Sequence, residues 1–295
     1  MADRRTAGGG LNVSASRRQL AAMREHWQHG PIDLVIEAWG EMAAVRAAYD
    51  AAWHRFQGVL AELVAELPLL RTPSARDLPL RGVIARRMLA ATLPFARDFI
   101  TPMAAVAGSV AEEIVAFFAA EAGVTRACVN NGGDIAVHLA PGQRLSVGIV
   151  TNLCAPLLDG GIELHSTLPV RGVATSGWRG RSFSLGIADS VTVLAHTASA
   201  ADAAATMIGN AVDVQDPAIK RAAADSLKDD TDLGSRLVTV KVGVLPVAQR
   251  KVALERGLRA ADQYAERGLI AGAALALQGE WRTIGALSHP LPRAA

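Results

Sequence analysis

Cysteine is nearly missing from this chain. Cys128 and Cys154 are the only two in 295 residues, and their spacing fits no disulfide framework, multi-cysteine zinc site or redox pair. Both read as reduced, structural thiols. Aromatic residues make up 4%, too few to build a stacking platform for single-stranded nucleic acid. An excess of either sign of charge is absent too. The formal balance is +2, and its basic residues are scattered, which argues against nucleic acid as a partner. Arg4, Arg5, Arg17, Arg18 and Arg24 cluster near the start and read as a solvated tail and helix face. No apolar run reads as long enough to span a bilayer; residues 268–278 come nearest and fall short. The charged start has no apolar region behind it, so neither a secretory signal nor a membrane anchor is expected. The expectation is a cytoplasmic protein.

What the chain does have is apolar mass. Hydrophobic residues make up 51% and charged residues 20%, enough to build a substantial core. Residues 1–12 read as a flexible arm and 13–295 as one α+β domain. His26, Trp27 and His29 read as a short helix, with the two histidines packed or solvated rather than ligating. Strands are expected at 32–39, 126–129, 135–139, 145–150, 162–164, 170–174, 190–195, 238–244 and 269–277, with 280–284 pairing back. Helical spacing covers 41–67, 80–93, 109–122 and 248–266. Residues 221–233 read as a polar connection. Strands and helices do not alternate regularly, which implies a mixed or antiparallel sheet with packed helices.

Residues 199–210, Ser-Ala-Ala-Asp-Ala-Ala-Ala-Thr-Met-Ile-Gly-Asn, carry the strongest functional signal. On a helix, Asp202 and Thr206 share one face. Two hard oxygens aimed together suit Mg²⁺, which leaves its other positions to water or phosphate. The competing explanation is an alanine-rich packing helix.

Other polar or glycine-rich stretches precede it. Thr101–Ser109 offers Met103, small side chains and Gly108 near a helix start, where amides can hold phosphate. Asn130-Asn-Gly-Gly-Asp134 suits a hairpin turn; equally, its amides could converge on a ligand while Asp134 accepts from a ring nitrogen or hydroxyl. Ala174-Thr-Ser-Gly177 offers two hydroxyls or a plain polar turn. Ser182-Phe-Ser-Leu-Gly-Ile-Ala-Asp189 puts Ser182 and Ser184 on one strand face and adds Asp189, a candidate base or a member of a structural hydrogen-bond ladder.

In this order the motifs resemble the ApbE-type flavin transferase superfamily, above all its shorter, cytoplasmic branch, over about residues 80–215. The resemblance implies an elaborated T-fold-like architecture with a cleft between sheet and helices. It also implies Mg²⁺ on Asp202 and Thr206, and FAD or FMN bordered by Met103, Gly108, Asn131, Gly132, Gly133, Asp134, Thr175, Ser176, Gly177 and Ser182. A homo-oligomer is the assembly that fold analogy suggests. Two departures stand out. Ala107 replaces the lysine that transferases commonly carry before the matching glycine. The His-Ile-x-Asp-Pro-x-Thr-Gly segment of flavin-transferring members has become residues 182–189, leaving Ser184 and Asp189 as the candidate catalytic groups. Three readings follow: FMN transfer or FAD hydrolysis with Mg²⁺, a non-catalytic flavin- or metabolite-binding protein, and different chemistry on a small cyclic metabolite.

Overall fold

A computed structural model describes residues 14–150 and 158–287; the expected arm and Cys154 lie outside the described residues. In chain order the elements are β1 (Ser16–Ala21), β2 (Arg24–His29), β3 (Ile32–Gly40), α1 (Met42–Ala65), α2 (Leu67–Leu70), α3 (Val83–Thr92), α4 (Val106–Ala120), β4 (Val124–Asn131) and β5 (Asp134–Leu139). There follow β6 (Arg144–Val150), β7 (Leu158–His165), β8 (Gly172–Ser176), β9 (Ser190–Ala195), α5 (Ala198–Ala211), β10 (Ile219–Ala223), α6 (Ala224–Leu227), β11 (Leu237–Val242), α7 (Val247–Glu266), β12 (Gly272–Leu277) and β13 (Glu280–Gly285).

Nine strands form one sheet in the order β1-β2-β3-β4-β5-β8-β9-β12-β13. Every pairing in it is antiparallel, so the α+β expectation holds in its antiparallel form. Two hairpins, β6–β7 and β10–β11, stand outside this sheet as separate two-stranded units.

Helices α1, α4, α5 and α7 pack on one face of the sheet. Strand parity explains which residues meet them, because successive side chains point to opposite faces. In β9, Val191, Val193 and Ala195 enter the large helix-side core. Leu194 points the other way, into a smaller core shared with Val147, Ile162 and Leu164 of the β6–β7 hairpin. Buried on both sides, β9 has no exposed face, and the polar residues it does carry, Ser190 and Thr192 on the Leu194 side, are buried with it. At the other end of the sheet, Trp27, Tyr49, Trp53 and Phe56 stack edge-on or tilted between β2 and α1.

Three expectations change. Residues 24–29 form a strand, not a helix: Glu25 and Trp27 bond to each other on one face, while His26 meets Asp33 across the β2–β3 hairpin at 3.0 Å. Residues 219–227 contain β10 and α6 instead of an irregular connection. The stretch Pro102–Ala120 is long and apolar enough by composition to cross a bilayer. In the fold it packs against α1, α3, α5, β4 and β5, with Val110, Ala111, Ile114 and Phe118 buried.

An ionic chain fixes the helices to one another. Arg55 of α1 bonds Glu113 of α4 at 2.7 Å, and Arg87 of α3 reaches Glu113 and Glu112 at 2.9 and 3.1 Å. Glu112 in turn accepts from the Ser199 hydroxyl at the start of α5 at 2.8 Å. These half-buried contacts share partners, so they hold four helices in one arrangement rather than acting singly.

Candidate functional site

The β4–β5 connection is a two-residue hairpin in which Asn131 pairs with Asp134. Gly132 and Gly133 both have positive φ, +65° and +114°, the backbone that matches the twist of such hairpins and that side chains resist. Asn130 braces the turn by accepting from the Gly133 amide at 2.8 Å. The hairpin reading of this motif is thus correct, and the turn also delivers a carboxylate. By parity with Ala136, which enters the helix-side core, Asp134 faces the helices.

Ser176 follows the same rule. Ala174 of β8 enters the helix-side core, so Ser176 two residues on also faces α5. Thr175 faces the other way and shares a hydrogen bond with Thr192 at 2.9 Å. Its amide, however, donates to Asp134 Oδ1 at 3.2 Å.

Across from them runs α5, begun by Thr197, whose side chain accepts from the Ala200 amide as an N-cap. Asp202 and Thr206 lie one turn apart on it and line the same cavity as Asp134 and Ser176. Asp202 Oδ2 accepts from the Gly108 amide at 2.9 Å. The first turn of α4, expected to offer amides to phosphate, therefore spends at least one on Asp202. The approach is close: a Cβ at Gly108 would stand 2.3 Å from the Ala198 carbonyl oxygen. Asn131 completes the junction, its Nδ2 donating to the Ala107 carbonyl at 3.1 Å.

The cavity holds about 300 Å³, near the lower end of ligand-site volumes. Its floor is acidic. Burial pushes the Asp134 carboxyl up to about 7, partly opposed by the Thr175 amide and the charge of Arg181. Asp202 is also held well above the ordinary carboxylate range, first by burial and then by repulsion from Asp134, against the amides of Gly108 and Ala107. The exposed edge of Asp202 faces the cavity. The outer wall comes from residues 228–233, clasped by Arg71 to Asp230 at 2.9 Å and by the Thr101 hydroxyl to Asp232. Arg181, Ser182 and Phe183 form the exposed lip.

The sequence-expected site residues divide accordingly. Met103, Asp134, Ser176, Ser182, Asp202 and Thr206 line the cavity. Gly108, Asn131, Gly132, Gly133 and Thr175 shape its walls through the backbone contacts above. Gly177 lies against Asp189, with a Cβ there reaching the Asp189 carbonyl oxygen at 2.4 Å.

The two candidate catalytic groups are elsewhere. Ser184 is buried, its Oγ accepting from the Gly186 amide at 3.2 Å beside Asn210, whose Oδ1 accepts from Leu185 at 3.0 Å. Asp189 accepts from Trp178 Nε1 at 3.1 Å and from the Gln278 amide at 2.6 Å. Both tie segment 182–189 to the body of the fold. Among the described residues no histidine lines the cavity. Cys128 sits on β4 with its thiol pushed up to about 12 by desolvation, consistent with an unreactive structural thiol.

Arg71, Arg181, Lys228, Asp230 and Asp232 also line the cavity, and none was marked in the sequence. Only Arg181, immediately before the 182–189 segment, carried a signal: a cation beside hydroxyls.

A family model described as AbpE bacteria matches residues 15–283. A UPF0280 protein of Methanopyrus kandleri is 37% identical over 195 residues, covering 64% of this chain and 75% of its own. One from Methanococcoides burtonii is 30% identical over 206 residues, covering 68% and 82%. The match to the Methanothrix thermoacetophila UPF0280 protein is 40% identical over 157 residues, and spans 63% of that relative's length. Among solved structures, the Pseudomonas stutzeri flavinyl transferase ApbE in its apo form aligns over 92% of this chain and 95% of its own, at 11% identity and a TM-score of 0.49. With the family model covering nearly all the described residues, the chain belongs to this ApbE-like family, in the company of the archaeal UPF0280 proteins.

Proposed function

We propose that this chain processes a flavin nucleotide in a Mg²⁺-dependent reaction at the Asp134–Asp202 cleft, by FAD hydrolysis or by FMN transfer from FAD. The observation that carries this reading is the convergence of Asp202, Thr206 and Asp134 on one cavity. Two carboxylates that repel each other, Asp134 buried and Asp202 half-buried, fit a divalent cation, which would relieve that repulsion. Among the described residues no group of three or more His, Cys, Asp or Glu converges anywhere. A pair of carboxylates plus the Thr206 hydroxyl is the small ligand set Mg²⁺ accepts when phosphate and water supply the rest. A metal there would neutralise charge on a diphosphate as its phosphorus–oxygen bond breaks.

The protein's own groups would do the rest. Asp202 and Thr206 would hold the metal end of the site, and the Gly108 amide keeps Asp202 aimed. Ser176 and Ser182 would donate to ligand oxygens. Asp134, raised to about 7, is a cavity group whose proton could leave or arrive near neutral pH.

Hydrolysis is favoured over transfer, because segment 182–189 brings no histidine and commits Ser184 and Asp189 to structural hydrogen bonds. The same observation supports a second reading, a flavin-binding protein without turnover. Calorimetry with FAD, with and without Mg²⁺, followed by analysis of products, separates the two. Metal-strengthened binding with release of AMP and FMN is the expected result; tight binding without product would select the second reading, and no binding would sink both.

A further inference from the structure

We propose that Arg181 is the anion-gripping residue of this cleft and selects ligands carrying a phosphoryl oxyanion. Three cations line the cavity, and their partners differ. Arg71 and Lys228 both lie against Asp230, at 2.9 and 3.5 Å. Arg181 has no hydrogen-bond or ion-pair partner among the described residues, although it lines the cavity within electrostatic reach of Asp134.

Its position is built into the hairpin. The guanidinium lies over Gly132, where a Cβ would stand 1.8 Å from one of its terminal nitrogens. The turn that presents Asp134 thus also makes the seat for Arg181. Ser182, Ser176 and Thr206 line the same cavity from its lip, its sheet side and α5. A planar fork of N–H donors flanked by hydroxyls suits a tetrahedral oxyanion, which it binds through two parallel bonds.

Where Asp134 and Asp202 are ionised they repel an entering anion, so its binding there calls for counter-charge at both ends. Arg181 supplies it at the lip. The other end rests on the metal reading of Asp202 given above. Anion binding should therefore require Arg181 and a divalent cation together.

The test is calorimetric titration of inorganic pyrophosphate, with and without Mg²⁺, into the full chain and into Arg181→Gln and Arg181→Lys, with FAD titrated in parallel. Arg181 is exposed, so both variants should melt with the parent. Loss of its charge-assisted bonds should weaken Mg²⁺-pyrophosphate binding about tenfold or more in Arg181→Gln, with partial recovery in Arg181→Lys. Unchanged pyrophosphate affinity in Arg181→Gln would overturn the assignment, as would no pyrophosphate binding by the parent, or equal competition by malonate. If FAD fails to bind while pyrophosphate binding stays Arg181-dependent, the flavin reading falls and this assignment stands. If FAD binds and turns over equally in Arg181→Gln, the reverse holds.

Discussion

The carboxylate of Asp202 accepts a hydrogen bond from the backbone amide of Gly108 at 2.9 Å, joining α5 to the first turn of α4. One acidic side chain therefore closes a helix terminus and lines the cavity. The two roles can be separated by experiment.

Asp202→Asn keeps an oxygen that can accept from Gly108 and removes the charge that Asp134 repels. The variant should melt at or above the parent's temperature, since it loses a buried charge without losing its bond. Metal-dependent turnover of FAD should fall by about 100-fold or more, because the lost charge acts on the reacting phosphate. A thermal melt and an assay on the same preparation suffice; full activity would remove Asp202 from the mechanism.

Asp134 sets a pH dependence. Its carboxyl sits at about 7 in the fold, against about 3.9 in an unfolded chain. Between those values the native state binds the extra proton, so stability falls as pH rises from about 4 to about 7 and levels off above. The loss is on the order of a few kcal/mol. Metal-free protein should melt several degrees lower at pH 8 than at pH 5, and Asp134→Asn should make the curve shallower, leaving the part that burial of Asp202 contributes. Mg²⁺ should raise the melting temperature most above pH 7, where no proton competes for the pair. Identical profiles for parent and variant would refute this.

Two glycines in helices should respond oppositely to alanine. At Gly108 the new Cβ would meet the Ala198 carbonyl oxygen at 2.3 Å, and backbone on both sides leaves no room to yield. The change should cost about 3 kcal/mol or more and weaken metal binding by spreading α4 from α5. At Gly58 in α1 only Arg55 comes within 4.0 Å. There alanine should stabilise the fold by about 0.5–1 kcal/mol. Denaturant melts of both variants settle the pair.

Asp189→Ala separates scaffold from chemistry. It strands the Gln278 amide and Trp178 Nε1, a loss of about 1–3 kcal/mol for each group left buried and unpaired. The folded fraction should bind FAD as the parent does. Lost turnover at unchanged stability would instead return Asp189 to the reacting centre.

Local pattern made much of this legible in the sequence. The Asp202–Thr206 spacing and the Asn-Gly-Gly-Asp turn each need only a few neighbours to be read, and both carry cavity residues. Glu25 and Trp27 were harder. In so short and polar a stretch, period two and helical spacing look alike, and only pairing with β3 decides between them. Parity assigned Ser176 to the cleft and Thr175 to its back, but parity needs a strand's register, which sequence does not supply. Ser184 and Asp189 misled because their partners, Asn210, Trp178 and Gln278, come from three separate segments. Arg71 and residues 228–233 reach the site only through tertiary packing, and nothing local marks them.

The order of the large sheet bears on when the site comes into being. Strands β1 to β5 form a meander in the sheet, interrupted in sequence by α1 to α4 between β3 and β4, and Asp134 comes from its last hairpin. Asp202 waits for β8 and β9 to add to that meander, and the outer wall waits for residue 233. A chain emerging from the ribosome thus passes through a long interval in which one half of the acidic pair exists without the other. The cleft is whole only once the fold is complete, so a ligand that needs both carboxylates meets a finished site or none.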